Sequence, residues 1–201
     1  TDMSGIGDER VRISTLDEIC TIRNGLATLR DKIFIHDTQL FDEPCWENIT
    51  TGRKMRYIIY PYDATGKIYP EHEFTNNNPH TYAYLLQHKT ELAKRDKGRK
   101  TYEAWYAYGR RQSIVKGTSE RALYIPSFTD PEHIEYVIQE NVLHVSCLKI
   151  ALKTNEDTFT LENVIKSIRN YKKKLSEISP KRGGGWITLS TTALKQVPIL
   201  I

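Results

Sequence analysis

Cysteine is scarce in this sequence, and its spacing argues against the sites that cysteine usually builds. The 201 residues contain only Cys20, Cys45 and Cys147, and no two of them form a CxxC pair. This spacing speaks against a zinc ribbon and against a disulfide framework. We therefore expect three free thiols that are buried in the core of a protein from a reducing compartment.

Long apolar runs are also missing. The runs at residues 33–35 and 199–201 each hold three apolar residues, whereas a membrane helix needs about 20. Residues 1–9 are polar and acidic, without the apolar centre of a signal peptide. The sequence therefore predicts a cytoplasmic protein with no membrane partner.

Recognisable catalytic motifs are absent as well. There is no G-x-S-x-G elbow, no HExxH motif and no P-loop, since the three glycines at 183–185 are not followed by Lys and Ser or Thr. Glu71, His72 and Glu73 form the one dense acid–histidine cluster, but they lack the spacing of a metal site. We predict no catalytic, metal or cofactor residue in these 201 residues, and the sequence leaves open whether the chain belongs to an enzyme.

What the sequence does have is positive charge that is sorted along the chain. The net charge is only +4, but residues 89–116 hold nine cations and three anions, and residues 166–195 hold eight cations and one anion. Residues 117–165 between them hold three cations and eight carboxylates. Such sorting suits a surface that meets a polyanion, although two solvated helix faces would give the same pattern.

Periodicity predicts an α+β fold, a mixed β-sheet with two or three helices. Residues 16–22 favour a strand or turn, and strands are predicted at 32–35, 56–60, 113–115, 122–125 and 186–189, with a hairpin formed by 134–139 and 143–152. Asn78 followed by Pro79 indicates a helix start, residues 102–108 a second helical piece, and Thr160 with Asn163 a helix to about Leu175. We expect residues 1–15 to be a linker or tail and residues 16–201 to be one domain.

Two segments combine residue types that bind nucleic acid. Residues 95–113 mix cations with aromatic rings and end in Arg110, Arg111 and Gln112; arginine pairs with guanine and glutamine with adenine through two hydrogen bonds each. Residues 179–186 place Lys181 and Arg182 beside three glycines, which suits close approach to a phosphate strand. The structural alternatives are that the aromatic rings are core and that the glycines form only a flexible turn.

The order and spacing of short motifs over residues 16–201 resemble the C-terminal specificity domain of TaqI-like adenine-specific DNA methyltransferases and related fused restriction-modification enzymes. The stretches that carry this resemblance are residues 22–35, 60–62, Gly66, 79–85, Leu92 with Arg95, 105–112, and the close through 183–185, Leu189, Leu194 and 197–199. The family's Asn/Asp-Pro-Pro-Tyr/Phe motif and its glycine-rich cofactor motif are absent from the sequence.

The resemblance implies a division of labour within a bacterial cytoplasmic protein. A methyltransferase domain preceding Thr1 would bind S-adenosylmethionine, flip the adenine and transfer the methyl group. The present chain would select the target site in double-stranded DNA. The expected DNA-binding residues are Thr28, Arg30, Lys32, Arg110, Arg111, Gln112, Lys116, Lys181 and Arg182.

Among these residues, Arg30, Arg110 and Gln112 are expected to read bases, and the lysines to hold phosphates. Three alternatives stay open at this point. The first is a specificity subunit or the recognition segment of a restriction endonuclease. The second is a protein-interaction module, and the third is a binder of single-stranded RNA.

Overall fold

The computed structural model describes residues 13–154 and 158–200, and within them the fold is α+β. The strands are β1 (Cys20–Asn24), β2 (Ile35–His36), β3 (Trp46–Thr50), β4 (Met55–Ile59), β5 (Arg121–Pro126), β6 (Phe128–Thr129), β7 (Val137–Glu140), β8 (Leu143–His144), β9 (Cys147–Leu152) and β10 (Ile187–Thr188). The α-helices are α1 (Leu16–Ile19), α2 (Asp31–Phe34), α3 (Glu71–Asn77), α4 (Pro79–Gln87), α5 (Lys89–Ala93), α6 (Leu161–Asn170), α7 (Lys172–Ile178) and α8 (Thr191–Lys195).

The first sheet has the strand order β1-β9-β5-β7, and all neighbouring strands are antiparallel. Because side chains alternate between the two faces of a strand, Leu123 and Ile150 point to one face and Tyr124 and Lys149 to the other. The first face packs against α6, α7 and α8 in the larger of the apolar cores of this half. The second face carries only a small apolar cluster that contains Tyr124 and Ala151, so it has room for polar side chains.

The second sheet has the order β2-β4-β3-β8, in which β3 and β8 run parallel. It buries Ile49 and Ile58 completely, together with Phe34 from α2 and Phe74 from α3. Tyr106 joins the same core, with its ring stacked on Phe74 at 5.2 Å between centroids. The segment that carries the predicted base-reading residues is thereby anchored to this half of the molecule.

The prediction of two or three helices was too low, because the described residues contain eight α-helical segments. Most of the additional helices are single turns, such as α1 and α2, which are four residues long. Residues 32–35 were expected to be a strand, but they complete α2 and enter the two-residue strand β2. One-turn helices offer too few residues for a periodic pattern, and tertiary packing decides their conformation.

The predicted hairpin of residues 134–139 and 143–152 was wrong. β7 pairs with β5, β8 pairs with β3 of the other sheet, and β9 pairs with β1 and β5. Residues 102–108 and 113–115 are turns and loops where a helix and a strand were expected. Strand-like alternation locates a strand but carries no information on its partner, so a chain neighbour was assumed where a distant strand pairs.

Three sequence predictions are confirmed. Thr160 and Asn163 form a reciprocal capping box at the start of α6, and Pro79 occupies the first turn of α4. Cys20, Cys45 and Cys147 are buried and free. Of the predicted tail, residues 1–12 lie outside the described residues; Ser14 accepts a backbone hydrogen bond from Ile199 at 2.8 Å.

A bilayer-spanning helix would need both length and apolar character. Over residues 13–154 and 158–200, none of the helices combines the two.

Candidate nucleic-acid interface

Three of the predicted site residues meet at one groove of about 510 Å³, here called the central groove. Its lining consists of Asn24, Gly25, Leu26, Ala27, Leu29, Arg30, Asp31, Lys32, Gln112, Ser127, Val145, Ser146 and Cys147. Arg30, Lys32 and Gln112 therefore line the same groove, although Gln112 is 80 residues further along the sequence than Lys32. The groove lies where the two sheets adjoin, since Val145 and Ser146 connect β8 to β9.

Backbone hydrogen bonds bring the two predicted segments together. Gly109 N–H donates to Thr28 O at 3.1 Å and Arg110 N–H donates to Ala27 O at 3.0 Å. The side-chain amide of Gln112 then donates to Gly25 O at 2.6 Å. This ladder runs residues 109–112 alongside residues 25–28, so the end of one segment faces the beginning of the other.

Gly25 and Gly109 permit close packing next to the central groove. A Cβ atom on Gly25 would lie 2.8 Å from His144 O and 2.9 Å from Val145 Cα, both of them backbone atoms. A Cβ atom on Gly109 would lie 2.3 Å from Leu29 Cγ. A side chain at Gly25 would displace residue 25 from the backbone that connects β8 to β9, and a side chain at Gly109 would displace the Leu29 side chain.

Unfavourable backbone conformations gather around the central groove. Leu29, Ser113 and Ser146 have φ values of 62°, 57° and 56°, in the left-handed region that costs most residues about 1 kcal/mol or more. Leu29 and Ser146 line the groove, and Ser113 follows Gln112. Strained backbone of this kind is enriched at binding sites, where it aims neighbouring side chains.

Thr28, one of the nine predicted residues, is fully buried. Its hydroxyl donates to the Asp31 carboxylate and accepts from Arg30 N–H at 3.1 Å. Thr28 therefore shapes the turn that presents Arg30 and is not exposed to a ligand itself. Lys32, by contrast, is exposed on the same turn.

The cations Arg110 and Arg111 are held by carboxylates. Arg110 binds both oxygens of Asp96 at 2.8 and 2.9 Å, and this pairing holds the pKa of the Asp96 carboxyl far below its ordinary range. Arg111 donates to Glu103 at 2.7 Å and to Gly66 O at 2.9 Å. In this conformation Gln112, not Arg110, is the member of the segment that lines the groove.

Gln112 is exposed, and its hydrogen bond leaves reading capacity free. The side-chain amide has two N–H donors and one carbonyl acceptor. One N–H is used on Gly25 O, which orients the group. The other N–H and the carbonyl oxygen are the donor–acceptor pair that matches the major-groove edge of adenine.

Buried Arg95 connects the segment around Thr28 to the segment around Ala107. The sequence prediction missed this role. The residue is 1% exposed. Its guanidinium group donates to four backbone carbonyl oxygens at 2.8 to 3.2 Å, those of Thr28, Ala107, Leu92 and Trp105. Because Arg95 stands in a run of exposed cations, nothing in its sequence neighbourhood marks it as buried. Five fixed donors let one arginine satisfy several carbonyls at once.

Lys181 and Arg182 lie on a tight turn that leads into β10. Arg182 N–H donates to Trp186 O at 2.9 Å, and the three glycines between them have φ values of 83°, 59° and 83°. Lys181 donates to Ser176 O at 2.6 Å and Arg182 to the Thr188 hydroxyl at 2.7 Å. Neither is neutralised by a carboxylate within the described part of the chain, so both are suited to a phosphate.

The turn reaches the groove through its strand. Leu189 N–H donates to Ser127 O at 2.7 Å, and Ser127 N–H donates to Ser146 O at 3.0 Å. Next to this connection, the Phe128 ring is 49% exposed and packs on Trp186 at 4.7 Å. Sequence reasoning did not single out Phe128, because one exposed aromatic ring in a strand leaves no pattern.

Lys116, the last predicted residue, lies away from the groove wall. Its Nζ is 4.0 Å from Glu47 Oε2, and it lines a small adjoining cavity with Arg23 and Lys149. All nine predicted residues are thus placed, but only three line the central groove itself.

The acid–histidine cluster does not form a metal site in this structure. Glu71 accepts from Trp105 Nε1 at 2.8 Å and from the Tyr82 hydroxyl at 3.1 Å. Among the residues that the structure describes, no three His, Cys, Asp or Glu side chains are grouped closely enough to hold a metal ion.

Compared with known proteins, the chain matches no family model and no curated protein.

Proposed function

We propose that this domain reads a specific sequence in double-stranded DNA, as the target-recognition part of an adenine-specific methyltransferase from a restriction-modification system. The observation that carries the proposal is the meeting of Arg30, Lys32 and Gln112 at the central groove. Guanidinium, ammonium and amide groups on one open wall are the set that reads base edges and holds phosphates. The resemblance of the motifs to TaqI-like specificity domains supports the same function.

Within this function, Gln112 reads an adenine and Lys32 holds a phosphate. The hydrogen bond to Gly25 O fixes the Gln112 amide before DNA arrives, which lowers the entropy lost on binding. Arg30 donates to Glu91 at 3.1 Å and is partly exposed, so it is a second base reader once that surface ion pair is exchanged for a guanine, since such pairs are weak. Lys181 and Arg182, on the turn before β10, hold backbone phosphates of the same duplex.

The methyl transfer is assigned to another domain of the same protein. The flipping of adenine costs a few kcal/mol, and the binding energy of this domain offsets part of that cost. S-adenosylmethionine would be bound by the methyltransferase domain, and the site of action would be the bacterial cytoplasm, where the DNA substrate is.

The test is a comparison of Gln112→Ala with the wild-type protein on duplexes that vary at single positions. Loss of one bidentate contact costs about 1–3 kcal/mol and relaxes the preference for one base pair. Gln196→Ala is the matched control, because Gln196 is exposed and donates only to Thr192 O of its own helix, at 3.2 Å.

The Gln112→Ala variant has three possible outcomes. A relaxed preference at one position, with the others unchanged, supports Gln112 as a base reader. An equal loss on all sequences would remove the base-reading role, and unchanged binding would remove the central groove from the DNA interface.

A further inference from the structure

The second face of the first sheet carries an unusual row of side chains. The register of the sheet places Arg23 on β1 directly beside Lys149 on β9, and Lys149 beside Tyr124 on β5. Two cations that face each other across neighbouring strands destabilise a sheet. The row therefore costs folding free energy and calls for a compensating group.

Among the described residues, no such group is paired with Lys149. Lys149 is 5% exposed, and its Nζ donates to the neutral amide oxygen of Asn141 at 2.5 Å. Within residues 13–154 and 158–200, no carboxylate pairs with Arg23 or Lys149. Lysine is almost never buried without a partner of opposite charge, and burial together with Arg23 lowers the pKa of Lys149.

Both cations line a cavity of about 400 Å³, here called the basic cavity. The full lining is Thr21, Arg23, Gly117, Thr118, Ser119, Glu120, Lys149, Ala151, Leu152 and Lys153. Three cations and three hydroxyl groups thus face one carboxylate. Ala151, on the same sheet face, contributes only a methyl group to this lining.

The loop that covers the basic cavity is fastened to the same lysine. Asn141 accepts from Lys149 Nζ, and its own Nδ2 donates to Gly117 O. Residues 117–120 are therefore held over the sheet by the side chain that also orients the buried ammonium.

We propose that the basic cavity binds a phosphate group, with Arg23 as the two-point donor and Lys149 as the buried charge. A guanidinium fork matches two phosphate oxygens, and an ammonium supplies a point charge behind them. The hydroxyls of Thr21, Thr118 and Ser119 complete the donor set. The site uses none of the nine residues expected from the sequence.

A phosphate here has two sources, and the position of the cavity favours the DNA backbone. Arg23 precedes Asn24, which lines the central groove, and a small cavity lined by Arg23, Ser113, Lys116 and Lys149 lies beside the basic cavity. A duplex read by Gln112 would place a backbone phosphate nearby. The choice of DNA rests on the proposed function, but the phosphate site does not, since a free phosphate or nucleotide offers the same chemistry.

The test uses inorganic pyrophosphate and a duplex DNA as separate probes. The variants are Arg23→Gln, which is exposed on an edge strand, and Lys149→Gln, each checked by thermal unfolding. Lys173→Gln is the matched control: Lys173 is exposed on α7, which packs on the opposite face of the sheet. Calorimetry measures pyrophosphate binding, and fluorescence anisotropy measures duplex binding over a salt series.

We expect Arg23→Gln to weaken pyrophosphate binding about tenfold or more, as for the loss of a charge-assisted pair, while Lys173→Gln has no effect. If the phosphate is that of DNA, Arg23→Gln also lowers the slope of log affinity against log salt by about 0.9. A lower slope in Arg23→Gln alone supports the DNA source even without pyrophosphate binding. A loss of pyrophosphate binding with an unchanged slope assigns the site to a free phosphate.

The proposal and the function fail in different ways. If pyrophosphate does not bind and the slope changes equally in Arg23→Gln and Lys173→Gln, or in neither, the phosphate site is wrong while the DNA function stands. If the wild-type protein binds no duplex but binds pyrophosphate through Arg23, the DNA function is wrong while the phosphate site stands.

Discussion

Three arginines show how little a residue type says about its role. Arg95 is buried under carbonyl oxygens, Arg110 is held by Asp96, and Arg23 opens into a cavity without a carboxylate partner in the described residues. The sequence singled out Arg110 because it follows Gly109, where a helix was expected to end, and stands close to Gln112. Its partner Asp96 is 14 residues away, and only the folded chain brings the pair together.

Replacement of Arg95 by lysine tests its supporting role. The ammonium has no fork with which to reach four carbonyls, so buried acceptors lose their donors, and we expect a loss of about 3 kcal/mol or more in unfolding free energy. Urea unfolding measures this loss. Arg99→Lys, at an exposed position, should change it by less than about 0.5 kcal/mol; an equally small effect of Arg95→Lys would contradict the role.

His144 predicts a pH dependence of stability. Burial lowers its pKa from 6.5 to about 4. As the pH falls below 6.5, His144 therefore becomes protonated in the unfolded chain while it stays neutral in the folded protein. The contribution of neutral His144 to the unfolding free energy should therefore be complete above about pH 6.5. It should be lost as the pH falls towards 4, which lowers the unfolding free energy by up to roughly 3 kcal/mol.

The measurement is urea unfolding at several pH values between 7 and 4. The unfolding free energy of His144→Gln should depend less on pH over this window than that of the wild-type protein, because the variant lacks the His144 contribution. The carboxylates titrate in both proteins, so their contribution is common to the two profiles. His133→Gln, whose side chain is 85% exposed, should keep the wild-type profile. Parallel profiles for His144→Gln and the wild type would show that His144 does not carry the effect.

At the scale of elements, the sequence located secondary structure better than it located partners. The capping box at Thr160 and the Pro79 helix start are local signals, and both are confirmed. The pairing of β1 with β9 joins residues more than 120 positions apart, and no local pattern encodes it. The row of Arg23 and Lys149 exists only through that pairing, which is why the basic cavity was not predicted.

The close contact between Gly109 and Leu29 is part of the structure of the central groove, and a substitution at Gly109 tests its importance. Gly109→Ala would put a Cβ 2.3 Å from Leu29 Cγ and 2.9 Å from Leu29 Cβ, which forces the turn before Arg30 to move. We expect a stability loss of about 1–3 kcal/mol from overpacking and weaker duplex binding, although no charge is removed.

The rescue variant for this prediction is Leu29→Gly. It removes all three clashing atoms of the Leu29 side chain and relieves the φ of 62° at this position. Combined with Gly109→Ala, it should restore most of the duplex binding, whereas Leu29→Gly alone should have little effect on it. Failure of the double variant to recover would show that the Gly109 effect does not pass through this turn.

For the whole molecule, periodicity predicted the right fold class, but the charge pattern did not predict which cations are exposed. The α+β class is correct, and the sorted charge pointed to two basic segments. In the fold, much of the first basic block is used internally: Arg95 is buried, and Arg110 and Arg111 are paired with acids. The open cations of the candidate interface come instead from several segments, with Lys32, Lys181 and Arg23 among them.

The central claim is that this domain reads base sequence in duplex DNA. It is tested most directly by selection of the wild-type domain against a random duplex library at two salt concentrations, followed by sequencing of the retained DNA. We expect a short motif containing an adenine to be enriched at both salts, with less total DNA retained at the higher salt. Retention without any enriched motif, or no retention at either salt, would contradict it.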